Sequence, residues 1–149
     1  MARTMSLYGK SLVHLLNGDV SWKASGGSSF KVVLLKSSYT FDEYSHETYS
    51  HLNAASNEVT GTNYTAGGAS LVVGNPVYVS ATKEVRLPAS DTEWNQLTLN
   101  SLAKYAVIYC TNNNYLIGCL DFDEPVSSSG RKLIIDWSNE GCFKFTLPA

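Results

Sequence analysis

The side chains able to do chemistry fall into a few small groups. The histidines are His14, His46 and His51. His46 and His51 stand five apart, with Asp42, Glu43 and Glu47 close by. Two ligands sharing one helix face need a spacing of four, so the pattern reads as loop histidines and not as a metal site. Asp121, Asp123 and Glu124 form a D-x-D-E group ahead of Pro125. Clustered carboxylates suit Ca²⁺, but the remaining positions of a calcium loop are missing. The group reads as a solvated turn, with calcium the first ion to test. Asp91 and Glu93, beside Trp94, are the best local pair for glycoside hydrolysis, which needs two carboxyls facing one bond. They read instead as an Asp/Thr-Glu turn whose Trp94 fills the edge of the core. Serines are abundant, yet no G-x-S-x-G is present. Cys110, Cys119 and Cys142 are odd in number and lack C-x-x-C spacing, which argues against a disulfide framework or a zinc ribbon. They read as small buried hydrophobes, although Cys110 and Cys119 fall on adjacent expected strands and could face each other. No catalytic, cofactor-binding or metal-ligating residue is assigned.

Composition narrows the partners. Charged residues make up 16% of the chain, against ~25% in an average soluble protein. The surface must therefore be built from Ser, Thr, Asn and Tyr, which suits wide neutral contacts better than electrostatic steering. Net charge is −2 and no Lys/Arg cluster occurs, so neither nucleic acid nor an anionic membrane surface is an expected partner. No apolar stretch nears the ~20 residues of a membrane helix. The segment 7–16 is interrupted by Gly9, Lys10, Ser11 and His14, unlike a signal peptide, and folding in a cytoplasm is expected. At 149 residues, one domain with its own core is expected over 1–149, preceded by an arm and helix at about 1–18.

The elements that must position these residues are mostly strands. Tyr8, Leu12, Leu15 and Leu16 fall at i, i+4, i+7 and i+8, predicting a helix whose stripe docks on its own sheet or, as the alternative, on a neighbouring subunit. Ser6 is its expected N-cap and Gly18 its C-cap. Val20 and Trp22 follow as a short strand or anchor. The apolar run 30–37 predicts a buried strand. The segment 42–55 is the other helical candidate, or else a structured loop holding Tyr44 and Tyr49. Beyond residue 70 the chain alternates: strands are expected at 71–73, 77–80, 84–87, 105–111, 115–122, 132–137 and 143–147, with Leu97 and Leu99 preceding the strand from Tyr105. Asn112-Asn113-Asn114, Ser127 to Gly130 and Asn139-Glu140-Gly141 are the turns between the later ones. The expected fold is mainly β: an antiparallel β-sandwich, jelly-roll-like, with a short N-terminal helix.

The run 57–71, NEVTGTNYTAGGASL, is the most specific part of the chain. Gly61, Gly67 and Gly68 are expected to hold turns at positive φ. Tyr64 lies between the bends, placed to pin the loop on the core with its hydroxyl wet. The run resembles the N-E-V-[ST]-G-T-[GN]-Y-T-A-G-G-A-[ST]-L signature of a family of small tailed-bacteriophage virion proteins. Weaker similarity extends through Val20-Ser21-Trp22, the run 31–40, Tyr105 to Tyr109, Leu116 to Gly118, Asp121-Phe122 and Ser127 to Gly130. Asn63 stands where glycine is frequent in the family, a substitution that αL geometry tolerates. Residues 41–53 are more aromatic and His-bearing than the family pattern.

The resemblance implies a non-enzymatic structural component of the particle, with head, neck and tail placements open. With the low charge and the nine tyrosines, it leads to an accessory head protein, of the capsid decoration or cement kind. Such a protein would be made in the host cytoplasm and reside in the virion. Its expected partners are other virion proteins, the major capsid protein first, and further copies of itself, with a trimer the expected assembly. Met5, Leu7, Tyr8, Tyr44, Tyr49 and Tyr64 are the expected interface residues. The alternatives are a neck- or tail-associated protein, and a carbohydrate-binding module using Tyr44, Tyr49, Tyr64 and Trp94 as platforms for host adsorption.

Overall fold

The run at 30–37 has no polar face, which suits a strand covered on both sides. In the computed structural model, which describes residues 4–137 and 141–148, it is one. The elements in chain order begin with β1 (Thr4–Leu7), α1 (Ser11–Asn17), β2 (Phe30–Leu35), a 3₁₀ turn (Tyr49–Leu52), α2 (Ala54–Asn57), β3 (Gly61–Thr62) and β4 (Ala69–Leu71). They continue with β5 (Val77–Val79), β6 (Glu84–Leu87), β7 (Thr92–Leu99), β8 (Ala103–Cys110), β9 (Leu116–Val126), β10 (Arg131–Ile135) and β11 (Phe143–Thr146). The fold is mainly β and antiparallel, with a short helix near its start, as the alternation implied.

A five-stranded sheet of order β1-β9-β8-β2-β4 forms the centre. Period-two geometry sends Val32 and Leu34 of β2 to one face and Val33 and Leu35 to the other. Ala106 and Ile108 of β8 join the first pair, and Val107 and Tyr109 the second. Two three-stranded sheets, β10-β7-β3 and β11-β6-β5, contribute to the core on the first face. They bring Trp94, Leu97 and Ile135 from one sheet, and Leu87 and Phe143 from the other. Val20 and Trp22 add to this core as an anchor outside any strand. The second face is covered by residues of the loop between β2 and β3, chiefly Tyr39, Phe41, Tyr49 and Leu52, together with Tyr8. The arrangement is β-sandwich-like.

Several local expectations change. The segment before the helix is not a loose arm: residues 4–7 pair with 118–121 of β9. Ser6 therefore lies in a strand opposite Cys119 and caps nothing; Lys10 holds the N-cap position. Gly18 does cap the helix, in the left-handed region at φ +83°. Segment 42–55 is a structured loop carrying only the 3₁₀ turn and the start of α2. Glu93 and Trp94 sit inside β7, and the D-x-D-E group sits inside β9, so neither is a turn. There the Asp121 Oδ1 accepts the Asp123 N–H at 2.8 Å, and Asp123 takes φ +59°. This is a bulge made by a short acceptor side chain. Of the 139–141 turn, Asn139 and Glu140 lie outside the described residues, while Gly141 has φ +81°.

Candidate docking face

α1 buries its polar side. Ser11 and His14 are buried, whereas Leu12, Val13 and Leu16 are exposed, Leu16 to 80%. The expected stripe is thus split: Tyr8 is buried ahead of the helix, Leu15 packs against the main core, and Leu12 and Leu16 face out. His14 supplies the reason. Its Nδ1 lies 3.0 Å from Asp19 Oδ2 and its Nε2 3.0 Å from Glu47 Oε1. Both bonds form together only when both ring nitrogens carry hydrogen. The ring also stacks on Tyr115, centroids 3.6 Å apart. Lys10 Nζ donates to the other Glu47 oxygen at 3.0 Å, and these two donors, Lys10 first, hold the Glu47 carboxyl below the usual carboxylate range. Ser11 Oγ donates to the Tyr8 carbonyl at 2.7 Å. These five directed contacts on one side of a seven-residue helix and its N-cap fix its orientation where a short leucine stripe does not.

The opposite wall comes from β11-β6-β5. Tyr78, Val85 and Phe145 are register partners across the three strands, so they share a face. The next row, Val77, Arg86 and Lys144, and the row of Val79, Glu84 and Thr146 lie on the other face. That second face is ion-paired: Arg86 Nη2 sits 2.8 Å and Lys144 Nζ 3.6 Å from the Glu84 carboxylate. Between the α1 ridge and the Val85–Phe145 row runs an open groove of about 520 Å³. Val20 and Trp22 form its floor, with Pro76 and Leu87 at the strand side. Trp22 is held by its indole N–H, which donates to the Pro88 carbonyl at 3.1 Å. Among the described residues lining the groove none is charged.

The run 57–71 is tied inward. Tyr64 Oη donates to Glu58 Oε1 at 2.9 Å and accepts the Leu34 N–H at 3.0 Å. The same Glu58 oxygen accepts the Gly67 N–H at 2.7 Å, and Tyr109 Oη donates to the Gly67 carbonyl at 2.7 Å. Tyr64 does pin the loop, but its hydroxyl is not wet, and burial raises its ionisation well above the usual phenol range. Gly67 and Gly68 have φ +91° and +88°. Gly61 does not hold a turn: it lies in β3, where a Cβ would stand 1.9 Å from the Thr98 carbonyl oxygen. At Gly68 a Cβ would stand 1.8 Å from the Val32 carbonyl oxygen. Asn63 takes the left-handed conformation at φ +63°. A smaller pocket of about 350 Å³ lies beside this loop, lined by Glu58, Tyr64 and small side chains.

Of the expected interface residues, Tyr44 is 86% exposed, Met5, Leu7, Tyr49 and Tyr64 are half-buried, and Tyr8 is 1% exposed. Tyr8 is a core residue and offers no outer surface. Its hydroxyl lies 2.8 Å from that of Tyr39, which lies 2.9 Å from His46 Nδ1. A neutral His46 accepts from Tyr39 while Tyr8 donates to Tyr39, satisfying every member of the chain. Of the sugar-platform set, Trp94 is buried and Tyr64 stacks on it at 6.4 Å. Asp91 is exposed, and Glu93 pairs with Lys132 across the strands at 2.9 Å, so the two carboxyls do not frame a site. Asp121 pairs with Lys104 at 2.7 Å. His46 and His51 rings stack 5.7 Å apart. Among the described residues no group of three His, Cys, Asp or Glu side chains is placed to hold a metal ion. All three cysteines are buried; Cys110 and Cys119 sit on opposite faces of the central sheet.

Sequence reasoning missed the groove and the carboxylate partners of His14. The alternation in V-Y-V, E-V-R-L and F-K-F-T does carry one wall of it. No local signal links Glu47 to a histidine on another element, whereas Asp19 stands only five residues on from His14, just past the helix. Compared with known protein families, curated proteins and solved structures, the chain matches none.

Proposed function

We propose that the chain is a non-enzymatic structural component of a tailed-phage virion, an accessory head protein of the decoration or cement kind. The observation that carries this reading is the open, uncharged groove edged by an exposed leucine ridge. A contiguous apolar face on a soluble surface marks an assembly contact. Among the described residues, every buried side-chain nitrogen and oxygen has a partner. The resemblance of the run 57–71 supports a virion as the assembly, and that run serves as scaffold, tied to β2 through Tyr64 and Gly68. The layered sheets are read as a jelly-roll-like variant. The proposed partners are other virion proteins, the major capsid protein first, with no nucleic acid or membrane contact. Many modest contacts on a repeating shell stabilise it by avidity. The sugar-binding alternative is left with Tyr44 as its one broadly exposed ring.

The test uses empty shells lacking this protein. The purified chain should co-sediment with them, and antibody against it should label heads. Labelling confined to necks or tails, with shells left bare, would replace the head role by the neck or tail alternative.

A further inference from the structure

Asn17 and Gly18 form the end of α1, and we infer that Asn17 is a site of spontaneous modification, its side-chain amide lost as ammonia and replaced by a carboxyl. Water is the one co-reactant. The backbone nitrogen of Gly18, once its proton has passed to water, attacks Asn17 Cγ. The N–Cγ bond forms, the Cγ–Nδ2 bond breaks, and ammonia leaves carrying a proton. The five-membered succinimide ring then takes up water at either of its carbonyls. Opening at Cγ gives an aspartyl residue. Opening at the backbone carbonyl gives an isoaspartyl residue, whose main chain runs through the former side chain. This chemistry is independent of the assembly role.

The structure leaves the reacting atoms accessible. Asn17, Gly18 and Asp19 are all exposed, and among the described residues no side-chain hydrogen bond holds the Asn17 amide. Gly18 has no Cβ, and one built there would meet nothing within 4 Å, so the attacking nitrogen moves in open space. Its N–H donates to the Leu15 carbonyl at 3.3 Å, longer than an ordinary N–H···O bond. That bond closes the last turn of a seven-residue helix, and helix ends open more readily than interiors.

Other asparagines lack one or more of these features. No other asparagine in the chain is followed by glycine. Asn75 precedes Pro76, whose nitrogen carries no hydrogen. Asn57 donates to the Leu52 carbonyl at 2.9 Å and accepts from Ser38 Oγ at 2.8 Å. Asn113 donates to the Asp19 carbonyl at 2.9 Å and accepts the Tyr115 N–H at 3.3 Å.

The product matters because of its place. Gly18 lines the groove with Leu16 and Val20, where among the described residues no lining side chain is charged. A carboxylate on the last residue of α1 stands at the negative end of the helix, with Asp19 close behind it in the chain. It should loosen the Gly18 cap, and with it the helix wall of the groove.

The test holds the purified chain for weeks in mildly alkaline buffer, native and in urea, and then digests it with trypsin. The peptide 11–23, cut after Lys10 and Lys23, carries Asn17 as its single side-chain amide. In the native chain it should gain close to one dalton, at a rate within about tenfold of that in urea, and resolve into aspartyl and isoaspartyl forms. Peptides holding Asn57 and Asn113 should change only in urea. Asn17→Gln should leave the mass of peptide 11–23 constant. Asn17→Asp should speed amide hydrogen exchange in α1 severalfold while β2 and β8 stay protected. A native peptide 11–23 that keeps its mass overturns the inference, whatever the urea sample does. So does a native chain in which Asn57 or Asn113 reacts as fast as Asn17. Unchanged exchange in α1 of Asn17→Asp overturns the effect on the groove wall.

Discussion

Leu34 and Leu35 are neighbours in β2 and both fully buried, but one faces two sheets and the other faces a loop. On the sheet side the core is aliphatic and tryptophan-rich, and its indole N–H groups are hydrogen-bonded. Trp22 donates to the Pro88 carbonyl, and Trp137 donates to Thr92 Oγ1 at 3.0 Å. On the loop side the cover is phenolic: Tyr8, Tyr39 and His46 hydrogen-bond in series, and Tyr39 meets Tyr105 edge-on at 5.6 Å. Paired strands satisfy their own backbone and can bring pure hydrocarbon to a core. A loop cannot, so its cover is held by directed side-chain bonds. The two sides should therefore differ in stiffness, in pH response and in the order in which they open.

The largest expected effect is common to both sides. Gly68→Ala places a methyl at 1.8 Å from the Val32 carbonyl oxygen at φ +88° and should cost at least about 4 kcal/mol, losing the β2–β4 edge and the sheet both sides share. Denaturant unfolding measures it, and a variant within 1 kcal/mol of wild type would remove the close approach as a constraint. The comparison itself is sharpened by Leu34→Ala against Leu35→Ala. Both fall within about 2–5 kcal/mol. Leu34→Ala should lie near the top, because flanking sheets cannot collapse into the cavity, and Leu35→Ala near the bottom, because a loop can. Equal losses would break the contrast. Tyr8→Phe removes one link of the phenolic chain and should cost about 1–2 kcal/mol.

Acid should act on the loop side alone among these contacts. Burial, the main cause, lowers the ionisation of His46; Asp42 pulls it up and His51 pushes it down. A depressed histidine favours folding while neutral. Its contribution is present above the ordinary histidine value of about 6.5 and is lost as pH falls through the folded-state value. Melting temperature should fall between pH 7 and 5, and His46→Gln should flatten that slope; an unchanged slope rejects the assignment. The smallest effect is kinetic. Cys119 is on the loop side, its thiol pushed up to about 12 by burial, and Cys110 is on the sheet side. Sub-global opening of the loop should let Cys119 react with an aromatic disulfide before Cys110 does.

The strands were legible because alternation reports burial directly: Leu133 and Ile135 of β10, and Trp137 just after it, turn inward, as their spacing implied, while Lys132 and Ile134 turn out. The Gly18 cap was legible from residue type. The facing of α1 was not. A stripe says which side of a helix is apolar, and the side that is buried was chosen by Asp19 just past the helix and by Glu47 and Tyr115, which are distant in sequence. Gly61 and Gly68 illustrate a different limit. Glycine marks either a left-handed turn or a close backbone approach, and sequence alone does not separate the two. The groove stayed hidden for the same reason as the facing of α1, since its walls meet only in three dimensions.

β1 also sets a schedule. Leu7 pairs with Gly118, so the first strand of the chain has no place to settle until β9 has been made. At roughly 5–20 residues per second, the ribosome takes about 6–22 s to cover that interval. During it the emerging N-terminal segment, with Tyr8 and the leucines of α1, stays without its sheet. The nascent chain must wait for β9, and a truncation anywhere before that strand should leave a polypeptide that chaperones hold and proteases clear.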